Sequence, residues 1–145
     1  MRSLSRSHQV PVVALTLMLA GCPVLDADAP AGAYRSFASA MAHGDSKTAW
    51  DLLSHETQQE LTRQAGVVAK ARGLPPPADG RQVAFMDSFF IHREIKTTTI
   101  ATRSGDRATV LVSDDKGGQQ TISTVRERKG WRVDLTAEIR QAAQG

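Results

Sequence analysis

Gly105-Asp106-Arg107-Ala108-Thr109-Val110-Leu111-Val112-Ser113 carries the clearest strand signal in the chain. Gly-Asp is a turn pair. After it Ala108, Val110 and Val112 alternate with Thr109, Leu111 and Ser113, the period of two expected of a strand with one face inward. Downstream, Asp114 to Gly118 reads as a second turn into a strand through Thr121 to Val125. Lys129-Gly130 is a third turn, followed by Trp131, Val133 and Leu135 on one face. On the upstream side β-branched residues dominate Thr97 to Ile100, and the strand character begins after Glu94. Three turns joining four strands predict an antiparallel meander with one core face and one more polar face.

Before the meander the period changes to that of helices. Tyr34, Phe37, Ala38 and Met41 form one stripe, Gly44 stops it, and Asp45 or Ser46 can cap the next start. Lys47 to Leu53 predicts a short helix with Ala49, Trp50 and Leu53 inward. Ser54 can cap a third helix with the stripe Leu61, Ala65, Val68 and Ala69, ended by Gly73 and Pro75-Pro76-Pro77. Asp79-Gly80-Arg81-Gln82 fits a capping box ahead of Val83 to Ile91, an apolar segment read as a buried helix with a strand as the alternative. Thr136 to Gln144 is weakly marked as a terminal helix by Ile139 and Ala142 or Ala143. Helices first and a meander afterwards define an α+β class.

The start of the chain has a different character. Arg2 and Arg6 form a basic region, and Val10 to Ala20 is an apolar run too short to be read as a membrane span, which needs about 20 residues. Leu19-Ala20-Gly21-Cys22 resembles the lipobox of bacterial lipoproteins. That resemblance implies signal cleavage between Gly21 and Cys22, acylation of Cys22, and a lipid bilayer as partner. Pro23 stands where inner-membrane lipoproteins of enterobacteria carry Asp, which favours the periplasmic face of the outer membrane. The expected organisation is a signal peptide over 1–21, a lipidated tether over 22–32 and a single domain over 33–145. Removing Arg2 and Arg6 leaves 16 basic against 15 acidic residues, so the mature chain gives no reason to expect nucleic acid. Cys22 is the only cysteine, and once acylated it leaves no thiol for a disulfide, a metal site or a nucleophile.

The order of elements resembles the nuclear-transport-factor-two-like superfamily and, more narrowly, its small bacterial lipoproteins of unknown function. The matching pieces are the helix and Gly-Asp break from Tyr34 to Asp45, Ala49-Trp50-Asp51-Leu52-Leu53, Gly105-Asp106-Arg107-Ala108-Thr109-Val110 and Gly130-Trp131-Arg132-Val133-Asp134-Leu135. The resemblance implies N-terminal helices packed on a curved antiparallel meander, a cone-like arrangement whose open end can hold a pocket. It also implies that sheets pair into homodimers in some members. These are packing and turn motifs, so they speak to fold rather than chemistry.

Enzymes of that superfamily use Asp, Tyr or His side chains pointing into the cone, which makes Tyr34, His43, His55, Asp87 and His92 the residues to weigh. Tyr34 lies on a helix stripe and fits a core aromatic with its hydroxyl at the rim. His43 and His55 sit at helix ends, and Asp87 interrupts an apolar stretch. Metal motifs fail: Gln59 stands where a zincin helix needs histidine, and His92-Arg93-Glu94 has no paired cysteines. No metal and no cofactor is expected. Arg126, Arg128, Lys129 and Arg132 gather around the last turn, either as a solvated hairpin or as a patch for anionic lipid headgroups. The reading is a membrane-anchored binding module for a small apolar ligand or another envelope protein. Its candidate pocket is Tyr34, Trp50, Phe85, Asp87, Phe89 and His92, closed by Met86 and Phe90. The alternative is an isomerase- or dehydratase-like enzyme with a pocket carboxylate or histidine.

Overall fold

In the computed structural model, which describes residues 29–86 and 94–144, helices precede a four-stranded sheet. Helix α1 (Pro30–Ala42) starts on a proline, whose fixed φ suits a first helical position. Pro30, Ala31 and Gly32 are buried in its first turn, so these three residues belong to the domain and not to the expected tether. Asp45 caps α2 (Ser46–Asp51) by accepting from the Thr48 N–H at 3.0 Å, and Ser54 caps α3 (His55–Ala71) by accepting from the Thr57 N–H at 3.1 Å. α3 turns Leu61, Ala65 and Ala69 inward, but Val68, expected on the same stripe, is 39% exposed. The buried arc of the helix is narrower than the apolar spacing suggested. Asp79 holds the start of α4 (Arg81–Met86) by accepting from the Arg81 N–H at 3.0 Å, while Gln82 is exposed instead of closing a capping box.

The strands β1 (Ile95–Ser104), β2 (Arg107–Asp114), β3 (Gln119–Glu127) and β4 (Gly130–Asp134) pair in chain order, each antiparallel to the last. The expected meander is the observed one, down to the alternation of buried Ala108, Val110 and Val112 in β2. Gly105, at φ +56°, supplies the left-handed turn conformation between β1 and β2 that other residues adopt only with strain. Register shifts between Ile95 and Thr97 and between Ile100 and Thr102 interrupt the β1–β2 ladder, and such irregularities strengthen twist and bend a sheet. The result is an α+β arrangement of N-terminal helices on a curved sheet, closed by α5 (Thr136–Ala142).

The core lies between the helices and one face of the sheet. Phe37, Leu53, Leu61, Val110, Val133 and Ile139 belong to one buried cluster, with Trp131, Ala33 and Ala108 beside it. The segment after α2 extends the sheet. The Ser54 N–H donates to the Val133 carbonyl, and the Val133 N–H donates to the Leu52 carbonyl, both at 2.8 Å. This parallel bridge covers part of the outer edge of β4, which would otherwise be open to pairing. Among the described residues no helix is long and apolar enough to cross a membrane.

Candidate functional site

The sheet is not covered along its whole length. α1 packs against all four strands, and space is left between it, α5 and the part of the sheet where β2 finishes and β3 begins. A cavity of about 660 Å³ occupies that space. α1 contributes Tyr34, Phe37 and Met41, which share one face because they are three and seven residues apart. The sheet contributes Val112 and Ile122, and the α5 side contributes Leu135 and Ile139. Most of these side chains are buried or half-buried in the core cluster, so the walls are continuous with the hydrophobic interior.

Polar groups are concentrated toward the mouth. Arg35 donates through Nη1 to the Thr98 hydroxyl at 2.9 Å, tying α1 to β1, and Glu94, Lys96 and Glu138 are exposed around the opening. Asp114 is buried, and its Oδ1 accepts from the N–H groups of Lys116 at 3.0 Å and Gly118 at 2.6 Å. It thereby shapes the β2–β3 turn. The Tyr34 ring is buried while its hydroxyl accepts from Gln120 Nε2 at 3.1 Å. Burial pushes the Tyr34 phenol above its ordinary pKa of 10.0, and the bond from Gln120 only partly opposes this, so the hydroxyl keeps its proton at neutral pH.

The residues expected at the site are dispersed. Tyr34 lines the cavity. Trp50 is 7% exposed and sits in the core without lining it. Phe85 is half-buried and borders a separate hollow with Pro77, Asp79 and Arg81. Asp87, Phe89 and His92 lie outside the described residues, as do Phe90 and the lipobox with Gly21 and Cys22. His43 donates through Nδ1 to the Ser39 carbonyl at 2.7 Å, finishing α1, and Gln59 donates to His55 Nε2 at 2.9 Å; neither ring lines the cavity. Among the described residues no three His, Cys, Asp or Glu side chains come together to hold a metal ion.

Two further residues differ from their reading in the sequence. Arg132, expected in the basic patch, is buried and donates to the carbonyls of Trp131 at 2.9 Å and Lys129 at 3.0 Å, which holds the last hairpin. Arg126, Arg128 and Lys129 remain exposed there. Gln120 went unnoticed, although strand parity pointed to it. It shares the inward face of β3 with Ile122 and Thr124, so a polar side chain there marks where the concave face meets open space. Set against protein-family models, curated proteins and solved structures, the chain finds no match, and its site is read from its own geometry.

Proposed function

We propose that the protein is a lipid-anchored binding module of the cell envelope that holds a small, largely apolar molecule between α1, α5 and the open end of the sheet. The observation that carries this reading is the cavity. Its volume of about 660 Å³ falls in the usual range of small-molecule sites, about 300–1,000 Å³, and apolar walls with few polar groups are the usual composition. The enzyme alternative needs a carboxylate or histidine placed to move a proton inside the cavity. Among the described residues the buried carboxylate there, Asp114, is engaged by its own turn, and Glu94 and Glu138 face solvent. Binding without catalysis therefore fits the cavity better.

The anchor is the second half of the proposal. Leu19-Ala20-Gly21-Cys22 supports acylation of Cys22, and Pro23 supports retention at the periplasmic face of the outer membrane. Native mass spectrometry of the full-length gene product, taken from its host's membranes, reads both halves at once. The expected spectrum shows a chain cleaved before Cys22 with acyl mass, plus a reproducible non-covalent increment. Cys22→Ser should abolish the acyl mass and keep the increment. An unacylated wild-type chain would end the anchor reading, and a protein empty in every preparation would end the binding reading.

A further inference from the structure

The polar lining of the cavity is uneven in a way that selects a ligand. Of the described lining residues, only Tyr34 and Asp114 combine burial with a polar side-chain atom. Asp114 Oδ1 is held by two N–H groups of its turn. Tyr34 is different. Gln120 donates to its oxygen, which leaves the phenolic proton to be donated onward, and among the described residues nothing accepts it. The donor stands where the apolar walls meet the polar mouth, beside the exposed Gln120, and a molecule entering the cavity can supply its acceptor.

We propose that the cavity selects a neutral molecule whose apolar body carries an accepting carbonyl oxygen, of the ketone or ester class, held by the Tyr34 O–H. This rests on the reading of the cavity as a binding site and adds the chemistry of its occupant. Neutrality follows from the charges that line the cavity, which are of both signs: Arg35 and Lys96 stand against Glu94, Asp114 and Glu138, so no single sign is there to select a charged ligand. The phenol stays protonated because burial disfavours the phenolate, so the donor is present across the physiological range. Gln120 fixes the direction of the hydroxyl by occupying one side of its oxygen. An apolar body alone would discriminate weakly among hydrocarbons, whereas a site with a fixed polar partner rejects an analogue that lacks the matching group.

The chain has a single tyrosine, which makes the proposal directly readable. The full-length protein is labelled with ¹³C at the tyrosine ζ-carbon and at the methionine methyls, and is titrated in separate arms with 2-undecanone and with undecane. Met41 lines the cavity and reports occupancy by either probe. The expected result is that both probes move the Met41 methyl and only the ketone moves the Tyr34 ζ-carbon. Tyr34→Phe should weaken ketone binding about three- to tenfold, the worth of one hydrogen bond, with undecane unchanged. An unaltered methionine spectrum in that variant shows that its fold is kept. A third arm with diester phosphatidylcholine vesicles, whose lipid carries no net charge, separates a membrane ester from a soluble carbonyl compound, since the source is whichever moves Tyr34. Met41 responding while Tyr34 ignores every carbonyl, or equal ketone affinity in wild type and Tyr34→Phe, overturns the ligand class and leaves the binding reading standing. Met41 silent to all three probes overturns both.

Discussion

Gly80 shows how tightly single residues are held here. A Cβ built on it would lie 2.5 Å from the Leu61 carbonyl carbon and 2.5 Å from the Thr62 nitrogen, so the turn into α4 rides directly on the backbone of α3. Backbone cannot rotate out of the way as a side chain can. Gly80→Ala is therefore expected to destabilise the fold by about 1–3 kcal/mol, the usual cost of forcing extra volume into a packed site. Urea unfolding measures it, and a variant as stable as wild type would mean that α4 can shift off α3 freely. Nothing in the sequence singled out Gly80 for this role, since a glycine after Asp79 reads as a turn residue whether or not another helix touches it. Tyr34 was legible for the opposite reason. Its place on the stripe with Phe37 and Met41 is a local property, although its bond to Gln120, 86 positions away, is not.

Helices α3 and α5 are joined by charge rather than by a broad apolar face. Glu60 is buried on α3 and accepts from Arg63 and Gln64 on its own helix and, at 3.5 Å, from Arg140 on α5, while Gln64 Nε2 donates to the Ile139 carbonyl at 3.1 Å. The bonds from Arg63, against the opposing effect of burial, hold the Glu60 carboxyl at about 2, below its ordinary 4.5. A carboxyl depressed in the folded state contributes stability that is complete above its unfolded value and is lost as pH falls through the folded one. Glu60→Gln is expected to cost about 1 kcal/mol at neutral pH, limited by the solvent exposure of both arginines. The difference in urea midpoint between wild type and variant should close as pH falls from above 4.5 to about 2. A difference independent of pH would assign the effect to packing. A second polar junction lies at Asp134, where burial raises the carboxyl and the Thr136, Thr57 and Ser54 donors outweigh it, leaving a lowered pKa. The strands were legible because each turn carries its own chemistry and period two is visible within a few residues. The junctions between α3, β4 and α5 were not, because Ser54 reads locally as a cap and no sequence period marks the partner that it shares with Thr57 and Thr136, Asp134.

Across the whole molecule the cavity belongs to no single element. Its walls come from α1, three strands and α5, so pattern-reading along the chain found the apolar faces but not the gap between them. Sequence expectation placed Trp50 in the pocket because a large aromatic is the natural choice for a wall. The fold uses it as core filling, and the cavity is walled instead by Tyr34, Phe37 and Met41 of α1 with Val112 and Ile122 of the sheet. The bridge between Val133 and the Leu52–Ser54 segment carries the remaining consequence, which concerns the order of assembly. Close by, Ser54 and Asp134 are bonded to each other across 80 positions of chain. Closing so long a loop costs entropy before any contact rewards it, which slows folding and makes it all-or-none. During synthesis the Leu52–Ser54 segment must wait for β4, since the strand that docks it is made about 80 residues later. A chain stopped at Lys129 is accordingly expected to lose helical circular dichroism along with its sheet signal. Retention of the native helical signal by that fragment would mean instead that the helical half matures alone and the sheet is added to it.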